Sequence, residues 1–403
     1  MRRPSFLRRT APPATGKEAL QRHYREQLTE PIDGQLAVFA AYWNRGYACN
    51  PAALHRKALE LVDGLRAVWV VKRDTAAAMP DDVEIVHPAT PEYFSAMARA
   101  GFLINNVNWP NNIVKREGQV HVMTHHGTPL KKMGMSLQEA EGREKSDDFV
   151  AFMTRCARWD YSVAANPFST RAWEGAYPGL SFRSLETGYP RNDALAAATP
   201  QDVARAREAA GLADGDVGVL YAPTHREYET DGSELLDPGA LASLLGTEHV
   251  VLARQHYLED AALGADTGRV RDVSNHRSVE ELCLAADALV TDYSSIMFDY
   301  AVLDRPIVIH APDWATYRAK RGTYFDLMKQ RPGPIARTPE EVAEAIRAGD
   351  PEPAARAAFR DEFCALEDGG ASERVVSEVW GIEGGPGDGR QASQERRPEG
   401  GKG

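Results

Sequence analysis

A chain of 403 residues exceeds what one hydrophobic core usually supports, so two domains are expected. Its 43% hydrophobic and 26% charged residues describe a globular protein rather than a fibrous or disordered one. The net charge of −11 excludes general nucleic-acid binding by bulk electrostatics, so any anion must be held by local basic clusters or helix ends.

The four cysteines (Cys49, Cys156, Cys283, Cys364) are scattered without a CxxC pair, which fits a reducing cytoplasm and gives no disulfide framework or zinc site. No apolar run approaches the roughly 20 residues that span a bilayer. Residues 1–30 read as a basic tail, with Arg2, Arg3, Arg8 and Arg9, followed by a short helix over 17–28. The tail lacks the apolar core of a secretory signal and is expected to be disordered. Strands are expected at 36–40, 67–71, 102–105, 120–124 and 161–164, alternating with helical segments. Thr90-Pro91 opens one of those helices, with Thr as cap and Pro at the first helical position. The alternation resumes with strands at 217–221, 249–254, 288–290 and 307–309. Thr199-Pro200, Ser278 and Thr338-Pro339 start further helices. Strand–helix alternation of this kind makes parallel sheets. The fold class is therefore α/β, with two doubly wound domains at 31–195 and 196–382 and a disordered Gly- and Pro-rich tail at 383–403.

In doubly wound sheets ligands lie beyond the carboxyl ends of strands, so the residues after each strand are the candidates for chemistry. After 120–124 comes His125-His126-Gly127-Thr128-Pro129-Leu130-Lys131-Lys132. Two adjacent histidines do not face the same way, so one is expected to act as a general base and the other as a structural group. Pro223, Thr224, His225 and Arg226 follow the strand at 217–221, and Arg254 and His256 follow the next. After 288–290 comes Thr291-Asp292-Tyr293-Ser294-Ser295, a hydroxyl-rich turn into a helix. Arginines beside a helix start suit a diphosphate, because guanidinium binds paired oxygens and the helix end favours negative charge. Neither a Walker A sequence nor a GxGxxG fingerprint is present, which removes P-loop NTPases and ordinary NAD enzymes. Asp292, Asp299 and Asp326 are structural caps or ribose contacts, with Asp299 the best placed for a ribose diol. The seven tryptophans are read as core or interface. No metal-ligand spacing stands out. No cofactor is expected, and a divalent cation such as Mg is compatible with a diphosphate but not indicated.

HHGTPLKKMG, TGYPRND, YAPTHRE, TDYSSIMFDYAVLDRPIVIHAPD, RGTYFDL and PGPIART occur in this order. Together they resemble the motif series of the CDP-glycerol glycerophosphotransferases of teichoic-acid synthesis, over residues 38–350. The resemblance implies a GT-B architecture, two Rossmann-like domains facing a cleft. It implies transfer of a polyol phosphate from a CDP-polyol donor to a hydroxyl of a lipid-linked polymer acceptor, with release of CMP. His126 matches the motif histidine taken as catalytic base, with Lys131 as an electrostatic aid. Gly127, Thr128, Pro223, Thr224, Arg226, Arg254, His256, Asp292, Ser294, Ser295 and Asp299 fall on the substrate-binding side. Tyr189, Pro190 and Arg191 match a motif that spacing gives no role. His125 and His225 stand where the family usually has Trp, which leaves glycerol, ribitol and other polyols open. A GT-B glycosyltransferase using a nucleotide sugar is the alternative reading, and a scaffold that has lost activity the third. The lipid-linked acceptor implies a cytoplasmic enzyme peripheral on the inner membrane face, with Lys131, Lys132 and the Arg-rich N-terminus toward anionic lipid. No nucleic-acid partner is expected.

Overall fold

A computed structural model describes residues 16–141, 147–224, 226, 236–254 and 268–382. Both tails, His225 and His256 lie outside the described residues.

The apolar runs form the centres of two parallel sheets. The first contains β1 (Asp33–Ala40), β2 (Arg66–Val70), β3 (Glu84–Val86), β4 (Ala100–Asn105), β5 (Val120–Met123), β6 (Tyr161–Ala164) and β7 (Arg183–Glu186). Their spatial order is β3-β2-β1-β4-β5-β6-β7. The second contains β8 (Val217–Ala222), β9 (His249–Ala253), β10 (Val270–Asp272), β11 (Ala288–Thr291), β12 (Ile307–His310) and β13 (Ile335–Ala336), ordered β10-β9-β8-β11-β12-β13. Phe39 pairs with Trp69 on one side and Ile104 on the other, and Leu289 with Ile307 and Leu220. Strands covered by helices on both faces bury every residue, so they read as continuous apolar runs rather than alternating ones.

Strand order reverses beside β1 and β4 in the first sheet and beside β8 and β11 in the second. Loops on either side of such a reversal splay apart and leave a crevice. The two sheets put these crevices opposite each other. The structure is thus the expected pair of Rossmann-like domains facing a cleft, a GT-B-like architecture.

The helices begin where the sequence places them. Thr90 Oγ1 accepts from Tyr93 N at 3.2 Å, Ser278 Oγ from Glu281 N at 3.1 Å, and Thr338 Oγ1 from Glu341 N at 3.3 Å. Thr199 and Asp202 complete a reciprocal capping box. The last helix, Ala371–Trp380, departs from the expected division at residue 196. Its Val375, Val376 and Val379 are buried with Ala37, Phe39 and Trp69 in the first domain. Asp193 fixes its start by accepting from Ala371 N at 2.9 Å and Ser372 N at 2.7 Å. The chain therefore crosses between the domains twice.

Candidate active site

Residues after β1, β4, β5, β8 and β11 line a cleft of about 920 Å³ between the two domains. His125 and His126 diverge there, as adjacent histidines must. His125 has a left-handed backbone, φ 50°, which turns its ring inward. The ring stacks on Trp173 at 4.0 Å between centroids, meets Trp159 edge-on at 5.5 Å, and hydrogen-bonds Ser162 Oγ at 2.9 Å. Burial pushes its pKa well below 6.5, so it stays a neutral, flat member of an aromatic stack. The slot between Trp173 and Trp159 thus takes a planar ring.

His126 lines the cleft. Its Nδ1 lies 3.1 Å from the carbonyl oxygen of Asn106. A carbonyl only accepts, so Nδ1 carries the hydrogen and Nε2 keeps its lone pair. Enclosure by the cleft walls lowers the pKa from 6.5; the Asn106 carbonyl works against that, and Arg191 and Lys131 add to it. His126 is therefore neutral at pH 7 and has the form a general base requires. Tyr42 supports the ring edge-on at 5.9 Å, and its own backbone N–H is held by Asn106 Oδ1 at 2.9 Å.

Gly127 brings the His126 loop next to the second domain. At φ 148° it occupies a conformation that L side chains rarely adopt. A Cβ built there would lie 2.4 Å from Ser295 Oγ and 2.7 Å from Ser295 Cβ. The loop carrying His126 and the Ser294-Ser295 turn are thus in direct contact. Ser294 and Ser295 precede a helix of only six residues, Ile296–Ala301, whose Ile296 N–H reaches Ser294 Oγ at 3.4 Å. Among the described residues Thr224 Oγ1 is buried without a hydrogen-bond partner, and Thr224 lines the cleft beside Pro223. Gly127→Ala is expected to lower turnover at least tenfold and cost about 1–3 kcal/mol, because strain and contact coincide. Steady-state kinetics beside urea unfolding measures both.

His126, Gly127, Thr128, Lys131, Pro223, Thr224, Ser294 and Ser295 line this one cleft. Four other expected contacts are placed elsewhere, and His256 lies outside the described residues. Arg226, expected on the diphosphate, is buried at 3% exposure. Its Nε and Nη2 donate to Asp313 at 2.9 and 3.0 Å, and its Nη1 to Asp292 at 2.9 Å. Burial alone would make the guanidinium less basic, but the two carboxylates reverse that and hold it protonated. Asp292 also accepts from Thr224 N at 2.9 Å, so this network shapes the turn at Thr224 rather than lining the cleft. Asp299, expected on a ribose, instead receives Nη2 of Arg191 at 2.5 Å and Nε at 3.3 Å. Arg254 donates to the carbonyls of Val273 at 3.2 Å and His276 at 3.1 Å.

Some cleft residues were not foreseen. Asn106 follows β4 directly, and the strand-end rule applied to 102–105 points to it. Trp43, 52% exposed at the cleft, departs from the reading of all tryptophans as core or interface. It lies in a run with Tyr42 and Asn44 in which all three backbones are left-handed, a conformation without a sequence signal. Arg321 comes from RGTYFDL, whose backbone pairs with the first domain. Tyr324 N donates to Leu130 O at 2.9 Å, Lys132 N to Gly322 O at 3.2 Å, and Lys131 and Thr323 form an antiparallel bridge. Lys131 lines the cleft with its Nζ 5.8 Å from the centre of the Tyr317 ring.

The family model for CDP-glycerol:poly(glycerophosphate) glycerophosphotransferases matches residues 22–381. The teichoic acid poly(glycerol phosphate) polymerase of Bacillus subtilis strain 168 is 33% identical over 88% of this chain, which spans about half of that protein. The teichoic acid glycerol-phosphate transferase of Staphylococcus aureus is also 33% identical over 88% of the chain, and here 95% of the relative is covered. The wall teichoic acid polymerase TagF, solved as a variant soaked with CDPG, superposes with a TM-score of 0.81 at 29% identity. That match covers 90% of this chain and 93% of the other.

Proposed function

This chain belongs to the CDP-glycerol:poly(glycerophosphate) glycerophosphotransferase family, and from that premise we propose that it transfers glycerol phosphate from CDP-glycerol to a hydroxyl of a lipid-linked polymer acceptor, with His126 as base. The observation that carries this reading is the contact between the two halves of the chemistry. A neutral imidazole with an unprotonated Nε2 sits one residue from Gly127, which touches the donor-side Ser295.

The acceptor hydroxyl attacks the phosphorus that bears the glycerol. The new P–O bond forms as the bond to CMP breaks, and CMP leaves with the bonding electron pair. The acceptor's proton passes to His126 Nε2, which the Asn106 carbonyl holds in the right tautomer. Ser294, Ser295 and Thr224 supply hydroxyl and amide donors to the diphosphate. Lys131 offsets charge developing on the phosphoryl oxygens and the leaving CMP. Arg226 and Asp292 act one layer back, by holding the Thr224 and Tyr293–Ser294 backbone in place.

Incubating the protein with CDP-glycerol, CDP-ribitol or a nucleotide sugar and a lipid-linked disaccharide acceptor separates the donor readings. CMP with glycerol phosphate on the acceptor is the expected result; release from the nucleotide sugar alone would overturn the proposal. No described helix is long and apolar enough to cross a membrane. We place the enzyme on the inner membrane face, with Lys132 toward lipid phosphates, since Lys131 is taken up by the cleft. Sedimentation with anionic liposomes but not neutral ones is expected, and failure to sediment with either removes that placement.

A further inference from the structure

Arg191 sits in a short 3-10 turn, Pro190–Asn192, at the end of the first domain, and is 8% exposed. Spacing alone gave the motif around it no role. Tyr189 donates its hydroxyl to the Gly127 carbonyl at 3.1 Å. Arg191 Nη2 would lie 3.3 Å from a Cβ at Gly127. Two residues of one motif thus bracket the glycine that follows the base. Asp299 on the second domain takes the Nε–Nη2 edge of the same guanidinium, so Nη2 lies between Gly127 and Asp299. Asp299 lies four residues after Ser295, on the same side of the helical segment. The backbone N–H of Arg191 reaches Asn50 Oδ1 at 3.1 Å and Nη1 reaches Cys49 Sγ at 3.4 Å, so the residue is held by its backbone at Asn50 and by its side chain at Cys49 and Asp299.

We infer that Arg191 is a positioning residue for the transfer reaction, a rigid cationic spacer that fixes the His126 loop against the Ser294-Ser295 turn. The inference rests on the proposed function for its chemistry and on the geometry for its placement. Guanidinium suits the task because its planar fork holds Asp299 with two bonds, which an ammonium does not. Its charge also faces His126. Among the described residues, the other charged or titratable groups around that imidazole are Lys131, Tyr42 and the buried His125. A cation beside the ring disfavours imidazolium, so removing it raises the pH at which His126 titrates.

The test compares Arg191→Met, Arg191→Lys and Asp299→Asn with the wild type. The imidazole of His126 is titrated by NMR in the substrate-free protein, with His126→Gln for assignment. Kinetics with CDP-glycerol and a lipid-linked acceptor are followed in parallel. Arg191→Met should titrate His126 at higher pH and lower kcat by about 10- to 100-fold with KM for CDP-glycerol little changed, the signature of misplacement rather than lost binding. Arg191→Lys should keep the wild-type titration but recover only part of kcat. An unchanged titration and a kcat within about twofold in Arg191→Met would overturn the inference. If Arg191→Met does not fold, Asp299→Asn, which keeps the shape but releases the fork, should still lower kcat, and wild-type kcat there overturns the inference equally. Should the wild type not turn over CDP-glycerol, the proposed reaction fails, while the NMR titration still decides whether Arg191 tunes His126.

Discussion

His126→Ala retains its fold and loses transfer by about 10²- to 10⁴-fold, the contribution expected of a positioned general base. The imidazole faces the cleft, makes one hydrogen bond to a backbone carbonyl and packs against Tyr42. Its removal leaves no buried charge and a void open to water, so stability falls by no more than about 1 kcal/mol. Release of CMP from CDP-glycerol measures the first effect and the urea midpoint the second. The wild-type pH profile follows from the same surroundings. Enclosure and the nearby Arg191 and Lys131 all disfavour imidazolium, so the folded pKa lies below 6.5. Activity is then full at neutral pH, and the acid limb of kcat/KM falls below pH 6.5. That limb disappears in His126→Ala. An acid limb that persists there would take His126 out of the mechanism.

The largest expected loss of stability is in the second domain. Arg226→Met leaves Asp292 and Asp313 buried and facing each other without their shared cation. Both carboxylates have side chains at most 5% exposed. Breaking a buried ion pair from one side costs about 3–5 kcal/mol, because the surviving charge keeps its desolvation penalty and loses its partner. Tyr293 donates its hydroxyl to Asp313 at 2.7 Å, so the damage reaches the turn that precedes Ser294. The urea midpoint should fall accordingly, and the residual folded protein should show a raised KM for CDP-glycerol. A midpoint within about 1 kcal/mol of wild type would show that the network contributes little.

The sheet centres were legible because a strand buried on both faces is a run of apolar residues. β6 was read at 161–164 and lies at Tyr161–Ala164. The four strands without a signal, β3, β7, β10 and β13, are the four sheet edges. They span two to four residues each and include Glu84, Arg183, Glu186, Arg271 and Asp272, so neither length nor hydropathy marks them. The candidate cleft was legible through the strand-end rule, which gathered His126, Thr224, Ser294 and Ser295. What each arginine faces was not. Arg226 meets its carboxylates 66 and 87 residues away, and Arg191 meets Asp299 at a separation of 108. Local spacing carries no trace of such partners, so a basic residue after a strand reads the same whether it holds a phosphate or an aspartate.

The second domain crossing bears on how the protein can be dissected. The helix Ala371–Trp380 belongs to the first domain by packing although it is last in sequence. A fragment ending near residue 195 would open the groove that Val375, Val376 and Val379 fill, and would also strip the partners from Asp193 and from Tyr189 N, which now donates to Glu367 at 3.1 Å. Expressing either half alone is therefore expected to yield insoluble material. Adding the missing helix as a separate peptide, or fusing it through a short linker to residue 195, should recover the first half as a folded unit.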